Sequence, residues 1–257
     1  MLTIDIGNSR VKWALFEAGV ICQQGVFAYD ASNFAEALVT EQLPILDNAV
    51  FVSNVAGEVI EEIMLHALLS AGCKKYQFVK TQNRQCGVSN GYLQPLSLGV
   101  DRWLAMIAAY CSVDKVPTHN ICVIDCGTAL TVDVINPDGQ HLGGYIAPGY
   151  QSMQSLLSWR AAGIEAADHL HHTPEITGPA NTTEEALRRG CMQLLRAGIQ
   201  AMIKQAAGEA AVDVFITGGD AAELLPLIQT EVKVRHDPLL VNRGLYHVAT
   251  ESGSVSY

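Results

Sequence analysis

One short phrase occurs twice in this chain, about half its length apart. Leu2-Thr3-Ile4-Asp5-Ile6-Gly7-Asn8 runs into Val11-Lys12-Trp13-Ala14-Leu15-Phe16, and Cys122-Val123-Ile124-Asp125-Cys126-Gly127-Thr128 runs into Leu130-Thr131-Val132-Asp133-Val134-Ile135. Each copy reads as a buried strand ending in Asp, a tight Gly turn with a small polar residue, and a second, alternating strand. Glycine in such a turn admits positive φ and lets a ligand approach the backbone closely. Asp, Gly and Asn are also ordinary turn formers, so one copy alone is open to a purely structural reading. Recurrence against the same strand pattern shifts the balance. It predicts two related α/β domains, each presenting an Asp and backbone N–H groups to a shared cleft.

The 257 residues are 49% hydrophobic and 16% charged, enough to bury a sizeable core in one large domain or two ordinary ones. A formal charge of −10 argues against a nucleic-acid or anionic-membrane surface, both of which need a basic footprint. It does not exclude a nucleotide, which backbone N–H groups, a few cations and Mg²⁺ can hold locally. No apolar run approaches the roughly 18–20 residues of a membrane span. The N-terminus enters strand sequence without a basic region, so no signal peptide and a cytoplasmic location are expected. The seven cysteines form no CxxC pair and are odd in number, which predicts reduced, mostly buried thiols.

Beyond the first hairpin, the pattern predicts a strand over 19–28, a helix over 32–43, a strand over 49–55, a helix over 58–71 and a short strand over 76–79. The stretch 81–98 is polar, irregular and long for a connection, a length often found in functional loops. A helix over 99–110 and a linker over 112–120 follow. The second half then offers its own hairpin, a Pro137-Asp138-Gly139 turn and a short strand into the Gly143–Gly149 segment. Helices over 150–162 and 183–207 come next, with a strand over 212–217 that ends in Gly218-Gly219-Asp220. Strands alternating with helices imply central sheets. The expected domains are 1–115 and 116–257.

Asp5-Ile6-Gly7-Asn8-Ser9-Arg10-Val11-Lys12 places a carboxylate, small polar groups and a cation around one turn. Phosphoryl transfer needs little more than phosphate positioning, charge neutralisation and Mg²⁺. Asp5 can reach Mg²⁺ directly or through water, the turn amides can cradle phosphate, and Lys12 can meet developing charge. Leu98-Gly99-Val100-Asp101-Arg102 sets an Asp beside an Arg at a helix start. Asp101 can accept a hydroxyl proton and Arg102 can hold a carboxylate. The alternative is an N-capping Asp beside a surface Arg.

Four motifs stand in order: Asp5-x-Gly7-Asn8-Ser9-x-x-Lys12, Gly99-x-Asp101-Arg102, Asp125-x-Gly127-Thr128-Ala129-x-Thr131 and Gly143-Gly144-x-Ile146-x-Pro148-Gly149. Together they span essentially the whole chain, and in this order they resemble the type III pantothenate kinases of the actin-like kinase superfamily, relatives of the Bvg accessory factors. The resemblance implies an α/β fold of two ribonuclease H-like (actin-like) domains, a homodimer, ATP with Mg²⁺, and a monovalent cation, K⁺ or NH₄⁺. The implied reaction is phosphorylation of pantothenate to 4′-phosphopantothenate. By position, residues Asp5 to Lys12, including Ile6, Arg10 and Val11, match the first phosphate-binding segment and Thr128 an ATP contact. Asp101 matches the catalytic base, with Gly99, Val100 and Arg102 lining the pantothenate pocket. Tyr92 matches a substrate-contacting tyrosine and Asp125 the monovalent-cation ligand. Thr183 is preferred over Thr182 as a substrate contact by its spacing to Ala186 and Gly190, although Thr182 with Glu185 also forms a capping box.

The chain departs from the family pattern at Ser9, where Thr is usual, and at Cys126, which replaces a small residue and invites oxidation. The His169-Leu170-His171-His172 cluster lacks supporting Cys or carboxylate spacing and is assigned no transition metal. Met153, Leu156, Leu157 and Trp159 mostly share one helical face, which either packs into its own domain or, as the resemblance implies, lies at a two-fold interface. Two other functions are compatible with the fold: an actin-like kinase for another small hydroxyl substrate, or a non-catalytic regulator. A regulator that had lost catalysis is expected to lack Asp101 or one phosphate turn, and this chain keeps both.

Overall fold

The computed structural model describes residues 1–45, 48–113, 117–160, 178–208, 211–228, 232 and 234–251. The chain divides into two compact units. The first comprises Met1–Val116, Asp138–His141 and Leu239–Tyr257, the second Pro117–Pro137 and Leu142–Pro238.

In the first unit β1 (Leu2–Ile6), β2 (Arg10–Glu17) and β3 (Val20–Ala28) pair antiparallel. After α1 (Phe34–Glu41), β4 (Val50–Asn54) pairs parallel with β1. After α2 (Glu58–Ser70), β5 (Tyr76–Phe78) pairs parallel with β4. The sheet order is β3-β2-β1-β4-β5. A small hairpin of β6 (Arg84–Gln85) and β7 (Val88–Ser89) leads to α3 (Val100–Cys111).

The second unit repeats the plan. β8 (Asn120–Cys126) pairs antiparallel with β9 (Ala129–Ile135), and β10 (His141–Pro148) lies next to β9. α4 (Tyr150–Arg160) and α5 (Thr183–Ala207) precede β11 (Val212–Thr217), which is parallel to β8. The short α6 (Ala221–Leu224) precedes β12 (Val234–His236), parallel to β11. The order β10-β9-β8-β11-β12 matches the first sheet strand for strand. This duplicated sheet is the two-domain actin-like fold. α7 (Leu240–Glu251) closes the described chain.

Helical spacing accounts for how the sheets are covered. Ile60, Met64 and Leu68 recur every four residues on α2 and are buried with Phe34 and Leu38 of α1 against Ile4, Ile6, Val50 and Val52. On α5 the buried stripe Leu187, Cys191, Leu195, Ile199 and Ile203 covers Cys122, Ile124, Val132, Val214 and Ile216. Full burial of each such aliphatic side chain contributes about 1.5–3 kcal/mol.

Three expectations change. The run from Trp13 to Phe16 is buried at every position instead of alternating, because both faces of its sheet are covered. Trp13 and Leu15 join the α1/α2 core, whereas Ala14 and Phe16 pack with Leu239, and the Phe16 ring stacks 4.7 Å from Tyr246 of α7. For the same reason α7 belongs to the first unit, not to a domain running from 116 to the C-terminus. The expected short strand before Pro148 is the eight-residue β10, so Gly143 and Gly144 lie within a strand. All seven cysteines are free, with Cys22 and Cys111 exposed. The helix expected over 150–162 is described only to Arg160. Its end, the His169–His172 cluster and the side chain of Trp159 lie outside the described residues. Among the described residues no helix is long and apolar enough to cross a membrane.

Candidate active site

Sheet register places the two repeated aspartates equivalently. Asp5 lies opposite Lys12 on β2 and Ser53 on β4, and Asp125 lies opposite Thr131 on β9 and Thr217 on β11. Directly opposed residues in an antiparallel pair share one face, with Cβ atoms about 4.5–5.5 Å apart. The first unit therefore holds a carboxylate and a cation side by side, whereas the second has a threonine where the lysine stands.

Beyond Asp5 the chain turns through Gly7, Asn8, Ser9 and Arg10, with the Gly7 amide donating to the Arg10 carbonyl at 3.1 Å. Asn8, Ser9 and Arg10 are exposed, whereas Ile6 and Val11 are fully buried. Within this segment, these last two can offer a ligand only main-chain groups. Two residues with no motif of their own brace this hairpin, one at the turn and one at the strands. The Tyr29 hydroxyl donates to the Gly7 carbonyl, and burial, then the Asp5 charge, pushes that phenol up from its ordinary value. Asn242 of α7, fully buried, donates from Nδ2 to the Thr3 and Lys12 carbonyls at 3.2 and 3.3 Å. Both escape sequence reading because each acts alone, from a distant segment.

The second element is built on the 81–98 loop and α3. Asn90 organises the loop: its Nδ2 donates to the Pro95 carbonyl at 3.1 Å, and its Oδ1 accepts from the Tyr92 amide at 2.9 Å. Thr81 Oγ1 donates to the Leu98 carbonyl at 2.8 Å, tying the loop's two ends together. The helix N-cap is Gly99, not Asp101, so the capping alternative fails. Asp101 sits in the first turn, and its Oδ1 accepts from the Arg102 amide at 2.8 Å. A Cβ at Gly99 would lie 2.6 Å from that Oδ1, so any larger residue there would displace the carboxylate from its present position. The positive end of α3 favours a negative charge there. Arg102 is no surface residue: it is 7% exposed and donates from Nη1 to the Tyr92 hydroxyl at 2.8 Å, with its guanidinium 5.6 Å from the Tyr92 ring centre. Tyr92, Asp101 and Arg102 are thus one connected group, while the buried Val100 contributes packing.

In the second unit, Gly127 donates to the Ala129 carbonyl at 3.1 Å, making a turn one residue shorter than the first. The Thr128 carbonyl accepts from the Gly149 amide at 3.0 Å and the Ser152 hydroxyl at 2.6 Å. A Cβ at Gly149 would stand 2.0 Å from the Gly127 carbonyl oxygen, so the start of α4 can lie on the turn only as glycine. Cys126 is 1% exposed, and burial, then Asp125 and Asp220, push its thiol well above the usual range. It is therefore shielded and protonated, which disfavours oxidation of this thiol. The donors around Asp125 are carboxylate and hydroxyl oxygens, a hard set suited to K⁺ or Mg²⁺ rather than to a transition metal. Among the described residues no group of three or more His, Cys, Asp and Glu is placed to hold a metal.

At the start of α5, the Thr182 hydroxyl accepts from the Glu185 amide at 3.3 Å, so Thr182 is the cap and Thr183 is the first helical residue, exposed. Arg188 and Arg189 each hold Glu185 at 2.8 Å, and Arg189 donates to the Gly178 carbonyl at 3.1 Å, which fixes this helix start.

The type III pantothenate kinase family pattern matches residues 1–205. Curated type III pantothenate kinases are 34% identical over 265 residues in Nitrosococcus oceani, covering 99% of this chain and 96% of the relative. The relative of that name from Methylobacillus flagellatus is 37% identical over 244 residues, covering 90% and 89%. Among solved structures, a Campylobacter jejuni protein described as a Baf family transcriptional activator matches with a TM-score of 0.58 at 25% identity, over 99% of this chain and 100% of its own. Component A of the Acidaminococcus fermentans (R)-2-hydroxyglutaryl-CoA dehydratase, at 13% identity and TM-score 0.50 over 98% of both chains, shares the fold alone. The chain belongs to the type III pantothenate kinase family.

Proposed function

We propose that the chain transfers the γ-phosphoryl group of ATP to the primary hydroxyl of pantothenate, giving 4′-phosphopantothenate and ADP, the first step of coenzyme A synthesis. The observation that carries this reading is the Tyr92–Asp101–Arg102 group at the start of α3, in a chain of this family. The substrate oxygen forms the new bond to phosphorus as the bond to ADP breaks, and Asp101 takes the hydroxyl proton. Arg102, buried and held by Tyr92, binds the pantothenate carboxylate. Gly99 and the loop around Tyr92 complete the pocket, and Thr183 adds a hydroxyl contact.

The first turn holds phosphate through its main chain, and Lys12 neutralises charge on the transferring group. Thr128 of the second turn contacts ATP. Asp5, a buried carboxylate at the end of β1, is suited to Mg²⁺, which keeps several waters and binds through one or two carboxylates plus substrate phosphates. When bound, Mg²⁺ supplies charge neutralisation on the triphosphate. Asp125, opposite a threonine where Asp5 faces a lysine, holds K⁺ or NH₄⁺ in place of a side-chain cation. The chain works as a homodimer in the cytoplasm. Leu142, Tyr145 and Ile146 of β10 and Leu156 and Leu157 of α4 are exposed apolar side chains and form the two-fold contact.

A coupled assay of ADP release with pantothenate, with and without K⁺, tests the reading. Pantothenate-dependent ADP release is expected. Turnover independent of pantothenate, or supported equally by unrelated hydroxy acids, would remove it.

A further inference from the structure

His141 stands outside every motif that the proposed reaction uses, yet it is 1% exposed and lies against Tyr92. The two rings are stacked, with centroids 5.7 Å apart and planes inclined by 18°. Nearly fifty residues separate them in sequence, and the main chain on both sides is built to bring them together. The Ser89 amide donates to the Gly139 carbonyl at 2.8 Å, and Ser89 and Gln140 form a parallel bridge. The Gln140 side chain donates to the His141 carbonyl at 3.1 Å and reaches the Ser89 carbonyl at 3.5 Å. Gly91, next to Tyr92, passes so close that a Cβ there would lie 2.0 Å from the His141 carbonyl oxygen. The segment Asp138–His141 thus belongs to the first unit, although the strand it opens belongs to the second sheet.

We infer that His141 is a positioning residue for pantothenate binding: its ring is the plate against which Tyr92 is held, and through Tyr92 it fixes the Arg102 guanidinium. Tyr92 is only half-buried and sits in a loop whose neighbour Leu93 is fully exposed, so the loop by itself offers the ring little packing. The Arg102 contact to the Tyr92 hydroxyl fixes one end of that ring, and His141 fixes its face. An aromatic pair of this kind contributes on a scale equivalent to about two- to tenfold in binding. The inference rests on the proposed pantothenate reading for its substrate, but not for its geometry.

Two independent readouts test it. In steady-state kinetics, His141→Ala is expected to raise the pantothenate KM about three- to tenfold, with the ATP KM and kcat near wild type. His141→Phe, which keeps a flat ring, is expected to restore the pantothenate KM. Because His141 acts through Tyr92, the His141→Ala/Tyr92→Ala double variant should be no worse than Tyr92→Ala alone. In hydrogen exchange, His141→Ala should speed amide exchange across 82–98 without lowering exchange protection in the two central sheets. This second readout does not depend on the substrate: a loosened loop in a protein that ignores pantothenate would fault the substrate reading and leave the positioning role standing. An unchanged pantothenate KM, additive single variants, equal losses for Ala and Phe, or an unaltered loop would overturn the role of His141.

Discussion

Tyr29 donates twice to the turn between β1 and β2: its hydroxyl to the Gly7 carbonyl, and its amide to the Ser9 carbonyl at 3.2 Å. The residue that follows β3 therefore fixes the backbone of a turn whose tip residues are exposed. Tyr29→Phe keeps the ring packed edge-on to Phe34, 4.7 Å away, and removes one of the two bonds. A hydrogen bond of this type contributes about 0.5–1.5 kcal/mol, so the ATP KM should rise about two- to tenfold while the pantothenate KM stays put. Kinetics with each substrate varied in turn decides it. Equal effects on both substrates would show that Tyr29 supports the unit as a whole.

Asp101→Asn keeps an acceptor for the Arg102 amide, now 2.8 Å from Asp101 Oδ1, so the helix start and the Arg102–Tyr92 contact should survive. Turnover should fall by about 10²–10⁴-fold, the range for loss of general-base help, with pantothenate affinity by calorimetry close to wild type. Near-full turnover would remove Asp101 as the base.

Activity should depend on K⁺ or NH₄⁺ and be weak in Na⁺ alone, because Thr131 stands where the first unit places a lysine opposite its aspartate. Asp125→Ala should abolish both the dependence and most of the activity. Equal rates in the three chloride salts would take the cation out of the mechanism.

Leu156 and Leu157 are 48% and 45% exposed on α4, while Met153 of the same helix packs into the second core. Leu157→Glu should therefore leave the fold intact and yield a monomer by light scattering, with weakened pantothenate binding and largely retained ATP binding. A wild-type protein that is monomeric at micromolar concentration and fully active would exclude the dimer.

His247 on α7 is held below its ordinary pKa of 6.5 by burial and, secondarily, by the Arg243 charge. The unfolded chain therefore takes up a proton there before the folded chain does. The stability His247 confers is present above about pH 6.5 and is lost as pH falls through its lower folded value. Thermal melts of the wild type should drop on going from pH 7.5 to 5.5, and His247→Gln should lessen that drop. An identical drop in the variant would assign the acid sensitivity to other groups.

Much of this protein is readable from the chain because its strongest signals are local. A strand with an Asp at its end and a Gly turn after it is written in consecutive residues, and its recurrence implies two sheets of one plan. Apolar residues at helical spacing mark α2 and α5, with α5 spanning 183–207 as expected. The crowding of Gly99 against the Asp101 carboxylate, by contrast, shows only in the structure. What tertiary structure decided is what distant segments do to these local units. The run from Trp13 to Phe16 is buried on both sides because a helix from the far end of the chain covers the second face. Tyr29, Asn242 and His141 brace the site from positions with no motif, since a hydrogen bond or a ring stack needs only one well-placed group and leaves no pattern in neighbouring residues. The sequence by itself determined the repeated strand–turn–strand units and the groups they carry, through periodicity and turn chemistry. Only the packing of remote elements determined which side chains hold those groups still.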